Sequence, residues 1–409
     1  MNILYVSRAG LPVSAPGIRM AALGTVMKKI GYEVHYLCNR RITNADLMAD
    51  CTEIEPQQFS LYPQYCLNQD EKHYLCSGHV YSYLPLIHTK AAVIGDCIDF
   101  FLASRIIKRI KAISLKEKTD VIILYDDDSF ITKRICRYCK SKHIKLLADV
   151  TEWYEKRPNG TLIEKSIPRN VDKRIRKYDK NLCGAFVISP FMHEYYNGIG
   201  VKNLLIPPLM SIDTNLIPMS KSYDDGIVRF VYAGSPGTKD IIYPFVNAVI
   251  DANMASLKFR IDLIGITILD VRSHGCPNAS EELGVYAHGR LSHNDTISIV
   301  KTADYGVLFR HNKRYAKAGF STKFAECMSW GVAMICNRIG GTDAVIENNL
   351  DGIIINGTSK NDFDLLLNEL SSYKPEKITT MKCAAYKKAQ ELFDMKKYAK
   401  QIESFLNNM

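Results

Sequence analysis

Short apolar segments alternate with helical segments along the first half of the chain. The runs NILYVS, YEVHYLC, DVIILY, IKLLADV and GAFVISP predict buried strands. Between them, GIRMAALGTVMKKIG and ITKRICRYCKSKH place apolar residues at helical spacing, and the first of these segments closes at Gly31. Strands separated by helices of this length predict a parallel sheet that is covered on both faces. The stretch from about Thr43 to Thr89 has no steady period and is expected to be irregular.

The alternation restarts after an irregular segment at residues 206–226, which contains three prolines and predicts a linker. Beyond it, IVRFVYAG, KFRIDLIG, GVYAHG, DYGVLFR, VAMICN and GIIIN predict a second set of strands with helices between them. An amphipathic helical stretch follows, with an expected kink near Phe393–Met395. We therefore predict two doubly wound α/β domains, residues 1–205 and 227–385, which face a cleft with the carboxyl ends of their strands.

Composition is that of an ordinary globular protein. Of the 409 residues, 47% are apolar and 23% are charged. No apolar run is long enough for a membrane-spanning helix, and MNILYVSRAG has neither the basic start nor the cleavage site of a signal peptide, so neither is expected. The twelve cysteines are scattered, many of them within apolar runs, which predicts reduced core cysteines and a cytosolic protein.

Positive charge is concentrated in one part of the chain. The formal net charge is +10, and Phe100–Lys145 holds twelve Lys and Arg against five Asp and Glu. The segment FFLASRIIKRIKAISLK has isoleucines at helical spacing, surrounded by Arg105, Lys108, Arg109 and Lys111. Such a helix is either an ordinary surface helix or a basic face that docks on anionic lipid headgroups. Nucleic acid is not expected as a partner, because no aromatic and basic module of a known type accompanies the patch.

Two loops at predicted strand ends of the second half have the character of a ligand site. The loop YAGSPGTKD is rich in glycine, so its backbone N–H groups can approach an anion, and its lysine adds a full charge. The second site combines the LIG turn with HGRLSHND, where a flat base would lie against the backbone. The candidate residues are Gly234, Ser235, Lys239, Gly265, Arg290 and Leu291. The alternative is that these loops are simple turns that end strands and cap helices.

A third loop opens a helix that carries two charged residues. In AGFSTKFAECMSWGVAMICN, Gly319 and Ser321 precede the helix, so free N–H groups are expected to point outward there. Lys323 lies close to the first turn, where a cation is unfavourable unless an anion lies between it and the helix dipole. Glu326 lies one turn further on a similar face, so an ion pair between Lys323 and Glu326 is the alternative to a ligand site.

The run AGFSTKFAECMSWGVAMICNRIGGTDAVIENNLDGIII resembles the nucleotide-binding half of glycosyltransferase family 4, whose members have the GT-B fold. That family usually has two glutamates, separated as Ala318 is from Glu326, with Gly-Phe-Gly after the first. The resemblance continues in order through GYEVHYL, DVTEWYE, GAFVISP, LLIPP, RFVYAGSPGTKD, DLIG and HGRLSHNDTISIVKTADYGVLF, and so covers most of the chain. It implies two Rossmann-like domains and a C-terminal helix, about residues 386–409, that returns to the first domain.

The resemblance implies roles in binding the donor. Glu326 matches the second glutamate, which accepts hydrogen bonds from the ribose hydroxyls of the donor nucleotide. Lys239 matches the phosphate-binding lysine of the family. The backbone of Gly319, Phe320 and Ser321 would lie at the donor sugar and the diphosphate.

The chain departs from the family pattern at two points that concern the donor. Ala318 stands where the first glutamate is usual, which affects how the donor sugar is held. The arginine of the glycine loop is missing, with Ser235 near its position, and Lys323 could replace the lost positive charge. Because of Ala318, a subunit that binds a nucleotide sugar without turning it over is an alternative function. A sugar-nucleotide epimerase of the same architecture is another.

The resemblance assigns the acceptor to the N-terminal domain. Gly17 and Arg19, in the loop SRAGLPVSAPGIRM, would lie near the diphosphate or the acceptor. LYDDDSF and ADVTEWY each end a strand at the cleft, so their carboxylates are candidates for steering an acceptor hydroxyl. These carboxylates are Asp126, Asp127, Asp128, Asp149 and Glu152. Each of them could instead cap a helix or lie in a solvated loop.

Three patterns suggest metal sites. VIILYDDDS looks like the strand and Asp-x-Asp with which the other glycosyltransferase fold holds a divalent metal, but this would leave the second half of the chain without a role. Cys136 and Cys139 form a Cys-x-x-Cys, and His73, Cys76 and His79 are equally spaced. Neither set has the second ligand pair of a structural zinc site, so neither a metal nor a cofactor is expected.

The sequence thus predicts a retaining, metal-independent hexosyltransferase of the GT-B fold. Its donor would be a nucleoside-diphosphate sugar, with UDP favoured over GDP, and its acceptor a hydroxyl of a glycan or a lipid-linked oligosaccharide in surface polysaccharide assembly. The course that the family implies is front-face displacement, in which the departing phosphate helps to take the acceptor proton. The expected location is the cytoplasm, with the basic helix docked on the inner face of the cytoplasmic membrane.

Overall fold

The computed structural model describes residues 1–7, 10–12, 14–38, 51–65, 67–84, 95–125, 129–155 and 162–409, with side chains outside 95–103, 162–167 and 223–224. The chain divides into two compact units. Unit 1 comprises Met1–Leu209 and Met395–Met409, and unit 2 comprises Met210–Asp394. Most of the segment with linker character, from Met210 onward, therefore belongs to unit 2.

Unit 1 is built on one largely parallel sheet. Its strands are β1 (Asn2–Ser7), β2 (Glu33–Cys38), β3 (Cys51–Glu53), β4 (Lys72–Cys76), β5 (His79–Tyr83), β6 (Val121–Tyr125), β7 (Lys145–Val150), β8 (Gly184–Val187) and β9 (Asn203–Leu205). They lie in the order β3-β4-β5-β2-β1-β6-β7-β8-β9. The pairs β3–β4 and β4–β5 are antiparallel, and the other pairs are parallel.

Unit 2 is built on a fully parallel sheet. Its strands are β10 (Val228–Ala233), β11 (Phe259–Ile264), β12 (Val285–Gly289), β13 (Tyr305–Leu308), β14 (Ala333–Asn337) and β15 (Gly352–Ile355). Their order is β12-β11-β10-β13-β14-β15, so the direction of strand addition reverses between β10 and β13. Ligands of open parallel sheets bind beyond the carboxyl ends of the strands at such a reversal.

Helices connect the strands of both units. Those of unit 1 are α1 (Ala15–Lys29), α2 (Gly95–Lys116), α3 (Ser129–Lys142), α4 (Leu162–Lys173) and α5 (Pro190–Gly198). Those of unit 2 are α6 (Ser222–Asp225), α7 (Tyr243–Asn253), α8 (Ile268–Ser273), α9 (His293–Thr302), α10 (Arg314–Ala318), α11 (Thr322–Ser329), α12 (Lys360–Leu370) and α13 (Pro375–Leu392). The last helix, α14 (Ala399–Asn407), belongs to unit 1. Among the described residues, no helix is both long enough and apolar enough to span a bilayer.

The kink expected near Phe393–Met395 is a complete break between two helices. Helix α13 ends at Leu392, and α14 begins only after a 3-10 turn at Met395–Tyr398. Ile402 and Leu406 of α14 are buried in the same apolar core as β1 and β2. The final segment therefore completes the core of unit 1 by burying the apolar face of α14.

The stretch expected to be irregular contains three strands, β3, β4 and β5, and this part of the prediction was wrong. These strands pair antiparallel at the edge of the sheet, and β5 then joins β2 in parallel. Cys51 and Cys76 stand opposite each other on β3 and β4, with their Cα atoms 4.2 Å apart, and form a disulfide. The expectation of reduced cysteines is thus incorrect for this pair.

The basic helix α2 has a narrower charged face than the sequence suggests. Ile106, Ile110 and Ile113 are buried, as expected for its inner face. Arg109, however, is also buried, and its Nε lies 2.7 Å from a carboxylate oxygen of Glu71. A buried ion pair removes Arg109 from any basic surface that α2 presents.

Three buried histidines make unit 1 sensitive to acid. His35 and His73 both hydrogen-bond to the hydroxyl of Ser82, at 2.7 and 2.8 Å, and His79 bonds to that of Thr25 at 3.0 Å. Burial lowers the pKa of His35 to about 3 and the pKa values of His73 and His79 to about 4. The unfolded chain binds these protons near pH 6.5. With respect to these histidines, the free energy of unfolding of unit 1 should therefore be highest above about pH 6.5 and should decrease as the pH drops towards 4.

Urea unfolding at several pH values checks this prediction. The chain has two tryptophans, Trp153 in unit 1 and Trp330 in unit 2, so a Trp330→Phe background lets Trp153 fluorescence report unit 1 alone. In that background His79→Gln should flatten the loss of stability between about pH 6.5 and 4, because one proton-binding group is removed. His143→Asn, at an exposed histidine of unit 1, is the control and should keep the full slope. A free energy of unfolding that does not change over this range would contradict the prediction.

Candidate functional site

Glycine corners close three neighbouring strands of unit 2. Gly234 follows β10, Gly265 follows β11 and Gly289 ends β12, with positive φ angles of 120°, 85° and 61°. The amide of Gly234 donates to the carbonyl of Ile264 at 2.7 Å, and the amide of Gly265 donates to the carbonyl of Gly289 at 2.6 Å. A Cβ on Gly265 would lie 3.2 Å from backbone atoms of Gly234, so a side chain there would add a tight contact to an unfavourable φ. These corners form an edge that consists mainly of backbone.

A cluster of charged side chains lies beside these corners, where the strand order reverses between β10 and β13. Asp240, in the loop after β10, accepts hydrogen bonds from Nε of Arg310 at 2.7 Å and from Nζ of Lys323 at 2.8 Å. The hydroxyl of Tyr232 donates to the same carboxylate at 2.7 Å and accepts from Lys323 at 2.6 Å. We call Tyr232, Asp240, Arg310 and Lys323 the Asp240 cluster. Two cations and one carboxylate give it an excess of positive charge at the position where ligands bind in such sheets.

Local structure holds this cluster together. The backbone of Asp240 forms an isolated antiparallel bridge with that of Arg310. The amide of Ile241 supports this bridge by donating to the carbonyl of Phe309 at 2.7 Å. This bridge fixes the loop after β10 against the end of β13. Lys323 is the second residue of α11, and its ammonium lies 4.1 Å from the centre of the Tyr232 ring. Asp240 therefore supplies the anion that a lysine near a helix N-terminus requires.

Burial and charge compete in setting the pKa values of the cluster. Burial lowers the pKa of Lys323, and the charge and hydrogen bond of Asp240 oppose this effect. Burial acts to raise the pKa of Asp240, but the charges of Arg310 and Lys323 outweigh it and the pKa is lowered. Burial next to Asp240 raises the pKa of the Tyr232 hydroxyl above its usual value. At neutral pH Asp240 is therefore ionised and Tyr232 is neutral.

Glu326 lies one turn beyond Lys323 on α11. The ion pair with Lys323 that the spacing allows is not formed, because Lys323 binds Asp240 instead. Within the described part of the chain, the Glu326 carboxylate makes neither a hydrogen bond nor an ion pair. Burial raises its pKa, and the charges of His293 and Lys323 act in the opposite direction. The Glu326 side chain is partly exposed, and a partly desolvated carboxylate gains when a ligand supplies hydrogen-bond donors.

The loop before α11 packs its side chains into unit 2. Ala318, Gly319, Phe320 and Ser321 are all buried. The ring of Phe320 contacts that of Phe324 edge to face, and Ser321 is the N-cap of α11 without a capping hydrogen bond from its side chain. Any contact of this loop with a ligand would therefore come from its backbone.

The remaining donor candidates lie in loops at the same edge of the sheet. Ser235 and Arg290 are exposed, and Lys239 and Leu291 are partly exposed. The carbonyl of Lys239 accepts a hydrogen bond of 2.9 Å from the hydroxyl of Tyr315. Arg290 and Leu291 directly precede the N-cap of α9. The loops after β10, β11, β12 and β13 thus contribute the residues of this candidate site.

Two of the acceptor candidates form a buried ion pair in unit 1. Nη2 of Arg19 lies 2.8 Å from Oδ1 of Asp149, and Nε of Arg19 donates to the same oxygen at 2.9 Å. The hydroxyl of Tyr5 donates to Asp149 at 2.5 Å, and Nη1 of Arg19 donates to the carbonyl of Ile206 at 2.9 Å. Arg19 is 5% exposed and Asp149 is fully buried, so the pair belongs to the core of unit 1.

The other candidates of unit 1 are placed differently. Gly17 lies in the first turn of α1, where a Cβ would come 2.3 Å from the carbonyl oxygen of Leu11, so glycine lets the preceding loop cross the helix. Glu152 is partly exposed just beyond β7. Asp126 and Asp127, together with the residue after them, lie outside the described residues.

Of the residues that suggested a zinc site, His73, Cys76 and His79 have other partners, while Cys136 and Cys139 are free cysteines. Cys76 forms a disulfide with Cys51. His73 is hydrogen-bonded to the hydroxyl of Ser82, and His79 to that of Thr25. Across the described ranges, no group of three or more His, Cys, Asp and Glu side chains is arranged to hold a metal ion.

Sequence reasoning missed Asp240, Arg310 and Tyr232. A signal was present, because Asp240 directly follows Lys239 in the glycine loop and Arg310 ends DYGVLFR, the apolar run of β13. A charged residue directly after a buried parallel strand lies at the ligand-binding edge of the sheet. Their pairing with Lys323 could not be read from the sequence, since Asp240, Arg310 and Lys323 come from separate segments.

No family model and no curated protein matches the chain, but solved structures do. A sucrose-phosphate synthase from Thermosynechococcus elongatus aligns with a TM-score of 0.69 at 14% identity, over 100% of this chain and 98% of that one. Anabaena HepE in complex with UDP-glucose aligns at 0.65 and 13% identity over 100% of both chains. The pneumococcal O-GlcNAc transferase GtfA in complex with UDP and GlcNAc aligns at 0.66 and 12% identity, over 100% of this chain and 99% of that one. The chain therefore has the GT-B fold, as the sequence predicts.

Proposed function

We propose that the protein is a retaining glycosyltransferase that moves a hexosyl group from a nucleoside diphosphate to a hydroxyl of a glycan or lipid-linked acceptor in surface polysaccharide assembly. The observation that carries this proposal is the carboxylate of Glu326, which makes no hydrogen bond or ion pair with any described residue and lies next to the cationic Asp240 cluster. A carboxylate can accept hydrogen bonds from two ribose hydroxyls, while cations and backbone amides bind a diphosphate. The UDP and UDP-glucose bound to GtfA and HepE favour UDP over GDP as the nucleotide.

In this proposal unit 2 holds the donor and contributes positioning and charge stabilisation. Lys323 and Lys239, with backbone amides of the loop before α11, would neutralise the charge that develops on the leaving diphosphate. These cations would make a divalent metal unnecessary. The departing phosphate would help to take the acceptor proton in a front-face displacement, while Asp127 and Glu152 of unit 1 orient the acceptor hydroxyl.

An inert nucleotide-sugar-binding subunit is the second candidate function, because the buried Ala318 offers no carboxylate to the donor sugar. A panel of nucleotide sugars, assayed with and without glycan acceptors, separates the candidates. Transfer or hydrolysis of the donor supports the proposed enzyme. Binding without turnover supports the inert subunit, and an altered nucleotide sugar without acceptor supports an epimerase.

Glu326→Ala tests the nucleotide site directly. We expect this change to weaken the binding of UDP, and of uridine, by about 10- to 100-fold, because the ribose loses a charged hydrogen-bond acceptor. Isothermal titration calorimetry measures both affinities. Glu376→Ala is the matched control, since Glu376 is an exposed residue in the first turn of α13. Equal UDP affinities of the Glu326→Ala and wild-type proteins would remove the basis of the proposal.

We further propose that α2 docks unit 1 on the inner face of the cytoplasmic membrane. Lys108, Lys111 and Lys116 are exposed on this helix, and Leu115 beside them is 87% exposed. Such a surface suits anionic headgroups, each nearby lysine contributing about 1 kcal/mol. The protein should float with vesicles that contain phosphatidylglycerol at low salt and detach at high salt, whereas Lys108→Glu/Lys111→Glu/Lys116→Glu should not float. Failure of the wild type to float at low salt would contradict docking.

A further inference from the structure

Arg310 has an incompletely used guanidinium group. Its Nε donates to Asp240 at 2.7 Å, and its side chain is 12% exposed. Within the described part of the chain, Nη1 and Nη2 have no hydrogen-bond partner, and neither belongs to the fully buried unpaired atoms. Both terminal nitrogens are therefore accessible to a small ligand.

The backbone on either side of this side chain is fixed. The amide of Arg310 donates to Oδ1 of Asn337 at 2.8 Å, and its carbonyl accepts from Nδ2 of Asn337 at 2.8 Å. Asn337 ends β14, so this pair of hydrogen bonds ties the end of β13 to the end of its neighbour. Arg310 thus starts from a rigid backbone and is held again at Nε by Asp240. An arginine restrained at both points loses little freedom when it binds a ligand.

We infer that Arg310 binds a phosphate group of the donor through Nη1 and Nη2, and that Asp240 is a positioning residue that holds Arg310 and Lys323 for this contact. A planar guanidinium edge matches two phosphate oxygens. The glycine loop has Ser235 where an arginine is expected, so Arg310 supplies from another strand the fork that this loop lacks. This inference rests on the proposed function, since it names the groups that meet the diphosphate.

Asp240 has a second effect, on the proton of Lys323. The charged or titratable groups that act on Lys323 are Asp240, Arg310, Tyr232, Glu326 and Cys327. Asp240 is hydrogen-bonded to the ammonium and favours its protonated form, whereas burial and Arg310 disfavour it. Without the charge of Asp240, burial and Arg310 would lower the pKa of Lys323 further. Lys323 should then lose its proton, and with it the attraction for a phosphate, at a lower pH than in the wild type.

Calorimetric titration with UDP and with uridine tests the phosphate contact. Arg310→Gln should weaken UDP binding by about 10- to 100-fold and leave uridine binding within about twofold, because uridine has no phosphate. Arg310→Lys should recover part of the lost affinity, since it restores charge but not the planar fork. Arg229→Gln is the control: Arg229 is paired with Asp225 at the start of β10, the opposite end of that strand. UDP affinity of Arg310→Gln equal to that of the wild type would overturn the inference.

The pH dependence of UDP binding tests the positioning role of Asp240. The affinity of Asp240→Asn should fall, as pH rises, at a lower pH than that of the wild type, whereas uridine affinity should be unchanged. A wild-type pH profile in Asp240→Asn would overturn the positioning role, and if this variant does not fold, the two Arg310 variants still decide the phosphate contact. A wild-type protein that binds neither UDP nor uridine would refute the proposed function itself. Binding of both ligands, with no effect of Arg310→Gln, would refute only the inference.

Discussion

Lys323→Ala is expected to lower the rate of the proposed sugar transfer by about 100-fold or more, because it removes a preorganised cation from the site proposed for the leaving diphosphate. The ammonium lies 2.8 Å from Asp240, where the strand order of unit 2 reverses. Its loss also leaves Arg310 as the cation that is paired with the buried carboxylate of Asp240 among the described residues. The rate is measured as UDP release in the presence of EDTA, with the acceptor or, in its absence, as hydrolysis of the donor.

The control for this experiment is another lysine of unit 2. Lys301 is exposed on α9, and its ammonium lies 4.2 Å from the centre of the Trp330 ring. Lys301→Ala should keep the wild-type rate, whereas Lys239→Ala should resemble Lys323→Ala. A wild-type rate for Lys323→Ala would contradict its assigned role. Activity that EDTA abolishes and manganese restores would contradict transfer without a metal.

Asp149→Ala is expected to lower the free energy of unfolding of unit 1 by about 3–5 kcal/mol, since it leaves a buried arginine without its counter-charge. Arg19 would keep its bonds to the carbonyls of Ile206 and Pro207, and the hydroxyl of Tyr5 would lose its acceptor. Urea unfolding followed by Trp153 fluorescence, in the Trp330→Phe background, measures the loss in unit 1.

An exposed ion pair of the same unit is the control. Lys72 and Glu53 are 3.2 Å apart with side chains 61% and 39% exposed. Glu53→Ala should change the free energy of unfolding by less than about 1 kcal/mol. The double variant Arg19→Met/Asp149→Ala should lose less than the sum of the two single changes, because neither charge is then buried alone. If Asp149→Ala and Glu53→Ala lowered the free energy of unfolding by similar amounts, the buried ion pair would contribute no more to stability than the exposed one.

Most of the parallel strands were predictable because they are buried on both faces, whereas the partly exposed β9 was not predicted. Runs such as VAMICN and DVIILY are continuously apolar, which is the pattern of a strand covered by helices on both sides. β4 and β5 read KHYLC and HVYSY, where histidine, serine and tyrosine interrupt the pattern. These polar groups are satisfied by contacts such as those of Ser82 with two histidines. Such a network depends on contacts between residues that are distant in the sequence, and so it cannot be predicted from a periodic pattern of apolar residues.

The candidate site was predictable only in its backbone and its single charges. Gly234, Gly265 and Lys323 could be recognised because turns and helix starts have local signatures. Asp240 and Arg310 could not be joined to Lys323 in this way, because their contact depends on the bridge between the loop after β10 and the end of β13. The sequence likewise does not show that Asp149 is paired with Arg19, because Arg19 comes from α1, which is distant in the sequence.

The return of residues 395–409 to unit 1 has a consequence for synthesis. A growing polypeptide exposes Met210–Asp394 to solvent before Ile402 and Leu406 have left the ribosome. Unit 2 can therefore form its complete hydrophobic core before unit 1 does. Until α14 is synthesised, unit 1 leaves apolar surface exposed where that helix will pack. Nascent chains of this protein thus pass through an interval in which their N-terminal half has the greater need of a chaperone.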